Sequence, residues 1–257
     1  MGSRILAMVV DDSEARLVGA TEAPGNAKVG LDAGFAAGRG SLEVPIRDDL
    51  GAVLEEGAAQ VVIDFTSAEA SARHARICAD HGVALVVGST GFDDAAEEEV
   101  RAASERIPIV KAPNMSVSVN LLFLLARRAA EVLGSEYQVE ITEIHHAMKK
   151  DSPSGTALRL GEMVAEGLGR DLRQVAVYGR HGNVGERSNE EIGIHAVRGG
   201  DVVGEHTVYF FGEGDRIELT HRATSRDSFA RGAVRAAKWV VGRPPGLYGM
   251  VDVLGFA

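Results

Sequence analysis

The segment QVVIDFTSAEASARHARICADHGVALVVG, from Gln60 to Gly88, decides the fold of this 257-residue chain. Its two apolar runs, residues 60–65 and 83–88, are continuous rather than alternating, which is typical of strands covered on both faces. The amphipathic stretch between them, residues 67–80, opens on a serine and is followed by a His-Gly pair, as helices commonly are. A strand, a helix and a second strand in this order predict a βαβ unit in a parallel sheet.

The same alternation extends in both directions from this unit. A helical pattern at 50–56 precedes it, a helix at 93–106 and a strand at 107–112 follow it, and a shorter run at 17–21 indicates an earlier strand. A helical pattern at 228–241 indicates that the chain returns to this domain near its end. The pattern as a whole predicts a Rossmann-like doubly wound parallel sheet, with residues 1–115 and 226–257 forming a dinucleotide-binding domain.

A different pattern occupies residues 116–225. A strong helix at 117–133 leads into a strand at 137–145, on which Val139, Ile141 and Glu143 share one face. After a helix at 156–167, alternating apolar and polar runs at 192–197, 201–211 and 216–220 are separated by glycine turns. This region predicts a second, α+β domain with a mixed or antiparallel sheet.

Composition narrows the class of protein. There are 27 Lys and Arg against 37 Asp and Glu, so the formal net charge is −10, which disfavours nucleic acid as a partner. A single cysteine, Cys78, excludes an intrachain disulfide and fits a reducing compartment. The apolar run at 121–126 is far shorter than a membrane span needs, and the first residues lack signal-peptide features. We therefore expect a cytoplasmic protein without a membrane partner.

The densest polar cluster is EITEIHHAMKKDSPSGT, residues 140–156. His145 and His146 end a predicted strand, Lys149 follows, and Gly155 and Thr156 begin a predicted helix. Free N–H groups at a helix start bind carboxylate or phosphate, and an imidazole transfers protons near neutral pH. The combination suits a small dianionic substrate that is protonated during the reaction. We expect no metal site, because adjacent histidines on a strand point to opposite faces.

Two loops follow predicted strand ends, where parallel sheets bind ligands. The first, GSTGF, contains Gly88, Ser89 and Thr90, and the second, APNM, comprises residues 112–115. The first could equally be an ordinary βα turn, and the second could be an interdomain hinge. His206 and His221 lie in predicted strands of the second domain, where we expect packing or contacts between subunits.

The segment EIHHAMKKDSPSGTA resembles the signature of the 4-hydroxy-tetrahydrodipicolinate (dihydrodipicolinate) reductase family of lysine biosynthesis. The resemblance extends, in order, over VVIDFT, VVGSTGF, APNMSVSVN, VRGGDVVGEHTVYF and TSRDSFARGAVRAAKW. It implies that the first domain binds the nicotinamide cofactor and that the second binds the substrate and forms a homotetramer. The enzyme would reduce 4-hydroxy-tetrahydrodipicolinate to tetrahydrodipicolinate with NAD(P)H, in the diaminopimelate route. The resemblance further implies that His145 donates the proton and that Lys149 is its catalytic partner. The implied substrate ligands are His146, Ser154, Gly155 and Thr156, and the implied cofactor contacts are Gly88, Ser89, Thr90, Ala112, Pro113, Asn114 and Met115.

The resemblance also bears on cofactor choice and on the start of the chain. Glu22 ends the predicted strand where an acidic side chain binds the adenosine ribose, and no Arg or Lys follows it at once, so we expect NADH to be preferred over NADPH. The family's first strand and Gly-rich turn precede its first helix, whereas here residues 3–10 already read as that helix. We therefore expect that strand to be missing, through a downstream start or a real shortening. Two alternatives remain, a cofactor-impaired, non-catalytic homologue and another nicotinamide-dependent dehydrogenase acting on a small dicarboxylate.

Overall fold

The computed structural model describes residues 1–256, which divide into two compact units. Residues 1–117 and the segment from Asp227 onward form the first unit, and Ser118–Arg226 form the second.

Helices and strands are numbered along the chain. The elements from residue 2 to residue 111 are α1 Gly2–Asp11, β1 Ala20–Thr21, α2 Ala33–Ala37, β2 Ile46–Arg47, α3 Leu50–Glu55, β3 Val61–Asp64, α4 Ala68–His81, β4 Ala84–Val87, α5 Asp94–Ser104 and β5 Pro108–Lys111. The next are α6 Val117–Leu133, a 3₁₀ turn at Gly134–Glu136, β6 Gln138–His145, α7 Gly155–Gly167, α8 Leu172–Val175, β7 Ala176–Val177, β8 Ile192–Arg198, β9 Gly204–Phe211 and β10 Arg216–Ala223. The last are α9 Asp227–Val240, β11 Gly246–Tyr248 and α10 Met250–Val253.

The first unit is built on a parallel sheet in the order β11-β5-β4-β3. Strand β4 is buried along its whole length, and its alternate residues enter two different cores. Leu85 and Val87 pack with α3, α4 and α5, whereas Ala84 and Val86 pack with α9 and α10. Helices therefore cover both faces, and the predicted doubly wound sheet is confirmed.

Helix α4 shows why the predicted boundaries hold. The Ser67 side chain accepts a hydrogen bond from the backbone N–H of Ala70, which satisfies a free donor of the first turn. Gly82 ends the helix with φ of 66°, a left-handed conformation that glycine adopts without steric cost. The chain then enters β4 directly.

Strands β1 and β2 form a separate parallel pair. Within residues 1–256, β3 pairs only with β4, so it is an edge strand of the four-stranded sheet. The predicted strand at 17–21 is too long, because β1 contains only Ala20 and Thr21. Its pairing with Ile46 and Arg47 is just as short, and a strand extends only as far as its backbone is paired.

The second unit contains a mixed sheet in the order β10-β9-β6-β8-β7. Strand β6 is central, antiparallel to β9 and parallel to β8. Its inward residues Val139 and Ile141 pack with α6 and α7 in one apolar core. The predicted strand at 201–211 begins only at Gly204. The preceding residues form a turn, in which the carbonyl groups of Gly200 and Val202 bond the loop after β6.

In the described part of the chain, no helix combines the length and the apolar character that crossing a membrane requires.

Candidate functional site

Strand β6 places Glu143 and His145 on the inward face of the second unit. They follow Val139 and Ile141 at every second position, so all four side chains point to the same side of the sheet. Glu143 has no exposed surface, and His145 is 8% exposed. A carboxylate and an imidazole therefore extend the apolar row of the core.

The Glu143 carboxylate is fully engaged. Its Oε2 lies 2.6 Å from His145 Nδ1, and its Oε1 accepts the backbone N–H of Ser154 at 3.0 Å. The Arg198 guanidinium donates from Nη1 to Oε2 and from Nη2 to Oε1, both at 2.7 Å. This two-pronged pairing matches the planar geometry of guanidinium and carboxylate.

Arg198 reaches Glu143 through strand pairing. It lies in β8, whose parallel register places it beside His145 of β6. Its Nη2 also donates to the carbonyl oxygen of Asp151 at 2.8 Å. The same arginine therefore fixes both the carboxylate and the loop that leads to α7.

These contacts set the charges. Burial alone would raise the pKa of Glu143, but hydrogen bonds from Arg198, His145 and the Ser154 N–H outweigh burial and hold that pKa below its usual range. Glu143 is therefore a carboxylate at neutral pH and can only accept hydrogen bonds. It follows that His145 Nδ1 carries a hydrogen and that His145 Nε2 is the nitrogen left for proton transfer.

Opposing effects act on His145 itself. Burial lowers its pKa most, the hydrogen bond and charge of Glu143 raise it, and the charges of Lys149 and Arg198 lower it. The net result is a pKa below the ordinary value. An imidazole that binds its proton less tightly releases it more readily to a substrate.

His206 belongs to the same cluster. It lies in β9 opposite Glu143, and its ring meets the His145 ring edge-on, with 5.2 Å between centroids. Burial, followed by the charge of His145, lowers the pKa of His206 to about 3, so this ring is neutral. Its Nε2 lies 3.1 Å from Ser154 Oγ. We call Glu143, His145, Ser154, Arg198 and His206 the buried polar cluster. The sequence placed His206 in a strand, but its contacts with His145 and Ser154 were not predicted.

Ser154 connects the cluster to α7. Its Oγ accepts the backbone N–H of Ala157 at 3.2 Å and thereby caps the helix, and the same Oγ is hydrogen-bonded to His206 Nε2. Gly155 and Thr156 are the first residues of α7. A Cβ placed on Gly155 would meet nothing within 4 Å, so open space adjoins this helix start. Helix N-termini of this kind attract anions.

Lys149 and His146 lie in the loop after β6. Both carboxylate oxygens of Asp151 accept hydrogen bonds from Lys149 Nζ, at 2.9 and 2.8 Å. Lys149 is close enough for its charge to lower the pKa of both His145 and His206. Within residues 1–256, the buried Nδ1 of His146 has no hydrogen-bond partner.

A second set of polar residues lies at the carboxyl ends of β3 and β4 in the first unit. Asp64, the last residue of β3, is 3% exposed and accepts hydrogen bonds from the Thr66 N–H at 2.8 Å, from the Thr66 hydroxyl at 2.6 Å and from His74 Nδ1 at 2.7 Å. Ser71 of α4 donates its hydroxyl to Ser89 Oγ at 2.9 Å. The loops after both strands are therefore tied to α4.

Gly88 is required by close packing. A Cβ at this position would lie 2.3 Å from the ring of Phe65, so no larger residue fits without displacing that ring. The loop beyond Gly88 lines a cavity of about 440 Å³. The lining residues are Ser89, Thr90, Gly91, Phe92, Glu97, Lys111, Pro113 and Leu247.

The predicted segment 112–115 follows β5. Its first residue, Ala112, donates its N–H to the carbonyl of Val87, and Asn114 Oδ1 accepts the N–H of Ser116 at 2.9 Å. Met115 is buried, and its carbonyl oxygen would lie 1.8 Å from a Cβ at Gly232 of α9. Of these four predicted cofactor residues, Pro113 lines the cavity, whereas Ala112, Asn114 and Met115 do not.

Glu22 follows β1 and is not among the residues that line this cavity. Its backbone N–H donates to the carbonyl of Arg47, the last residue of β2, and its Oε1 accepts the N–H of Ala23. The Arg47 guanidinium is paired with Glu56 at 2.6 Å. An acidic side chain thus follows β1, and the basic side chain at the end of the adjacent strand β2 is already paired.

The first unit suits a dinucleotide at the carboxyl edge of its strands. Small and hydroxyl-bearing residues are among those that line the cavity there. The hydrogen bond from Ser71 to Ser89 fixes the loop that follows Gly88. The second unit suits a small dianion that receives a proton.

Comparison with known proteins shows the family to which the chain belongs. The family model described as "Dihydrodipicolinate reductase, N-terminus" matches residues 1–115, and the model described as "Dihydrodipicolinate reductase, C-terminus" matches residues 118–254. The chain belongs to the dihydrodipicolinate reductase family.

Curated relatives and a solved structure agree with this family. A 4-hydroxy-tetrahydrodipicolinate reductase of Myxococcus xanthus is 56% identical over 256 residues, covering 100% of this chain and 94% of that protein. The protein of the same name from Anaeromyxobacter sp. is 59% identical, covering 99% and 94%. A dipicolinate-bound dihydrodipicolinate reductase from Paenisporosarcina sp. TG-14 superposes with a TM-score of 0.77 at 25% identity, over 98% of this chain and 94% of that one. An amine dehydrogenase from Mycobacterium smegmatis, at 16% identity and a TM-score of 0.59, shares the fold.

Sequence reasoning did not identify Glu143, Arg198 and His206 as members of the buried polar cluster. Glu143 carried one usable signal, a charged residue at an inward position of an alternating strand. Arg198 and His206 carried none, because only the register of β8 and β9 on β6 brings them to Glu143.

Proposed function

We propose that this chain catalyses the NAD(P)H-dependent reduction of 4-hydroxy-tetrahydrodipicolinate to tetrahydrodipicolinate in the diaminopimelate route of lysine biosynthesis. The observation that carries this proposal is the buried His145. Glu143 holds it by Nδ1, while Ser154 links the same carboxylate to the open start of α7. Membership of the family supports the assignment.

The residues of the second unit divide the work. The N–H groups of Gly155 and Thr156, with Ser154 and His146, bind the two substrate carboxylates, and Lys149 adds a positive charge. His145 Nε2 donates a proton to the ring carbon next to the one that receives hydride. NAD(P)H, when bound, supplies that hydride. Substrate, NAD(P)H and one proton thus give tetrahydrodipicolinate, NAD(P)⁺ and the water lost from the hydroxylated ring.

The first unit would hold the cofactor. We assign Gly88, Ser89 and Thr90, together with Ala112, Pro113, Asn114 and Met115, to the nicotinamide end. Glu22 would bind the adenosine ribose, and the pairing of Arg47 with Glu56 leaves that arginine engaged, which supports a preference for NADH. An advantage of NADPH by an order of magnitude in kcat/KM would refute the preference.

We further propose a cytoplasmic homotetramer formed by the second unit. Its sheet has helices on one side, whereas Tyr209, Phe211 and Ile144 lie on the other face. Sedimentation equilibrium would measure the assembly state, and a stable monomer would refute this part of the proposal.

The test of function is the loss of NADH absorbance with freshly prepared 4-hydroxy-tetrahydrodipicolinate. We expect turnover by the wild type and a fall in kcat of roughly 100-fold or more in His145→Gln. Dipicolinate, the ligand of the Paenisporosarcina structure, serves as a non-reacting probe of substrate binding. Binding of NADH and dipicolinate without turnover would favour the non-catalytic alternative. Turnover of another small dicarboxylate, but not of 4-hydroxy-tetrahydrodipicolinate, would favour the alternative of another nicotinamide-dependent dehydrogenase.

A further inference from the structure

The two oxygens of the Glu143 carboxylate serve two different parts of the site. Oε2 bonds His145 Nδ1, and Oε1 bonds the Ser154 N–H immediately before α7. We propose that Glu143 is a positioning residue that sets the tautomer of His145 and, at the same time, the position of the α7 start. This inference rests on the proposed function, because it assigns His145 as the proton donor and α7 as the carboxylate-binding element.

Arg198 makes this arrangement stiff. It binds both oxygens of Glu143 at 2.7 Å, so the carboxylate cannot rotate towards one partner without losing the other. A further bond of the arginine, to the Asp151 carbonyl, anchors the loop that carries Lys149. A side chain with no exposed surface and four hydrogen bonds has one geometry available to it.

A purely structural role fits this cluster less well. Buried ion pairs add little net stability compared with apolar residues of the same volume, because both charges must leave water. The row of Val139 and Ile141 on the same face shows that apolar side chains suit this side of β6. The carboxylate of Glu143 at the next inward position is therefore better explained by its role in orienting the His145 ring and the start of α7.

The groups that face His145 come from three neighbouring elements as well as its own strand. They are Glu143 on β6, Lys149 in the following loop, Arg198 on β8 and His206 on β9. Glu143 is the one among them that favours the protonated imidazole, since it raises the pKa of His145 and the charges of Lys149 and Arg198 lower it. Removing its charge would lower that pKa further.

The test compares Glu143→Gln with Glu140→Gln. Glu140 lies on the same strand three residues earlier, is bonded to Arg180 and His195, and is no part of the site. For Glu143→Gln we expect kcat to fall on the order of 100-fold. KM for the substrate should rise several-fold, since the bond to the Ser154 N–H is weakened. The falling limb of the pH–kcat profile should move to lower pH. Glu140→Gln should keep the wild-type kcat and pH profile.

A spectroscopic measurement on the wild type covers the case in which Glu143→Gln does not fold. In protein labelled with ¹⁵N-histidine, with the His145 signals assigned by His145→Gln, we expect the neutral ring to carry its hydrogen on Nδ1. A neutral ring protonated on Nε2 would overturn the inference, and so would wild-type kcat and pH profile in Glu143→Gln. Absence of turnover in the wild type would instead count against the proposed function. The tautomer of His145 would then be the one result that supports or overturns the role of Glu143.

Discussion

The lowered pKa of His206 leads to a prediction of how the stability of the second unit depends on pH. Its pKa in the folded chain is about 3, against 6.5 for an ordinary histidine. Between about pH 6.5 and about pH 3, the His206 ring therefore binds a proton in the unfolded chain but not in the folded chain. Stability from this residue is complete above pH 6.5 and is lost progressively as the pH falls towards 3. Between about pH 7.5 and about pH 5 the loss in free energy of unfolding is about 2 kcal/mol.

The variant His206→Gln isolates this contribution. Glutamine can still form a hydrogen bond with the Ser154 hydroxyl, so at about pH 7.5 we expect a loss of only about 1 kcal/mol. Without a titrating ring, the variant should lose about 2 kcal/mol less than the wild type on acidification to about pH 5. The variant is thus expected to be the less stable protein at the higher pH and the more stable one at the lower pH.

Urea unfolding at several pH values measures this crossing. The single tryptophan, Trp239, lies in the first unit, whereas three of the four tyrosines, Tyr137, Tyr178 and Tyr209, lie in the second, so the two signals can be followed separately. The control is His181→Gln, which changes an exposed histidine and should run parallel to the wild type. Parallel curves for His206→Gln and the wild type would refute the reasoning, because they would show that His206 does not resist protonation.

Two further predictions concern close contacts. Gly204→Ala places a Cβ 2.9 Å from His145 Nε2 in a backbone of φ 159°, so we expect some loss of thermal stability. Because Glu143 holds the ring, kcat should also fall roughly tenfold. Gly199→Ala, whose Cβ would meet nothing within 4 Å, is the matched control, and equal kcat in both variants would contradict the prediction. Asp64→Asn removes the charge that binds His74 and loosens the loop after β3. NADH affinity by fluorescence titration should fall about tenfold, and unchanged affinity would argue against a role for this loop in binding.

Regular elements of this fold were accessible from the sequence because their signals are local. The continuous apolar run in β4 reflects burial on both faces, and Ser67 and Gly82 mark the ends of α4 chemically. The helix predicted at 117–133 has the observed bounds of α6. By contrast, the length of β1 depends on β2, a partner more than twenty residues away, and the sequence pattern at 17–21 contains no information about that pairing.

The candidate site divides in the same way. His145, Lys149, Gly155 and Thr156 lie within one short segment, so their proximity could be inferred from spacing and from the helix start. The pairing of Lys149 with Asp151 was not predicted, because a lysine in a loop has many conformations open to it.

The precision of the site comes from the register of three adjacent strands. Glu143, Arg198 and His206 lie on β6, β8 and β9, and a slip of any one strand by a single residue would turn its side chain to the opposite face. The apolar residues of the same strands prevent that slip, since it would expose Ile141, Ile194 and Val208 as well. The core thus specifies the geometry of the buried polar cluster. Ser154 connects this cluster to the start of α7, because it is hydrogen-bonded both to Glu143 and to the backbone N–H of Ala157. Core substitutions that leave the register intact should therefore lower stability before they alter the position of His145.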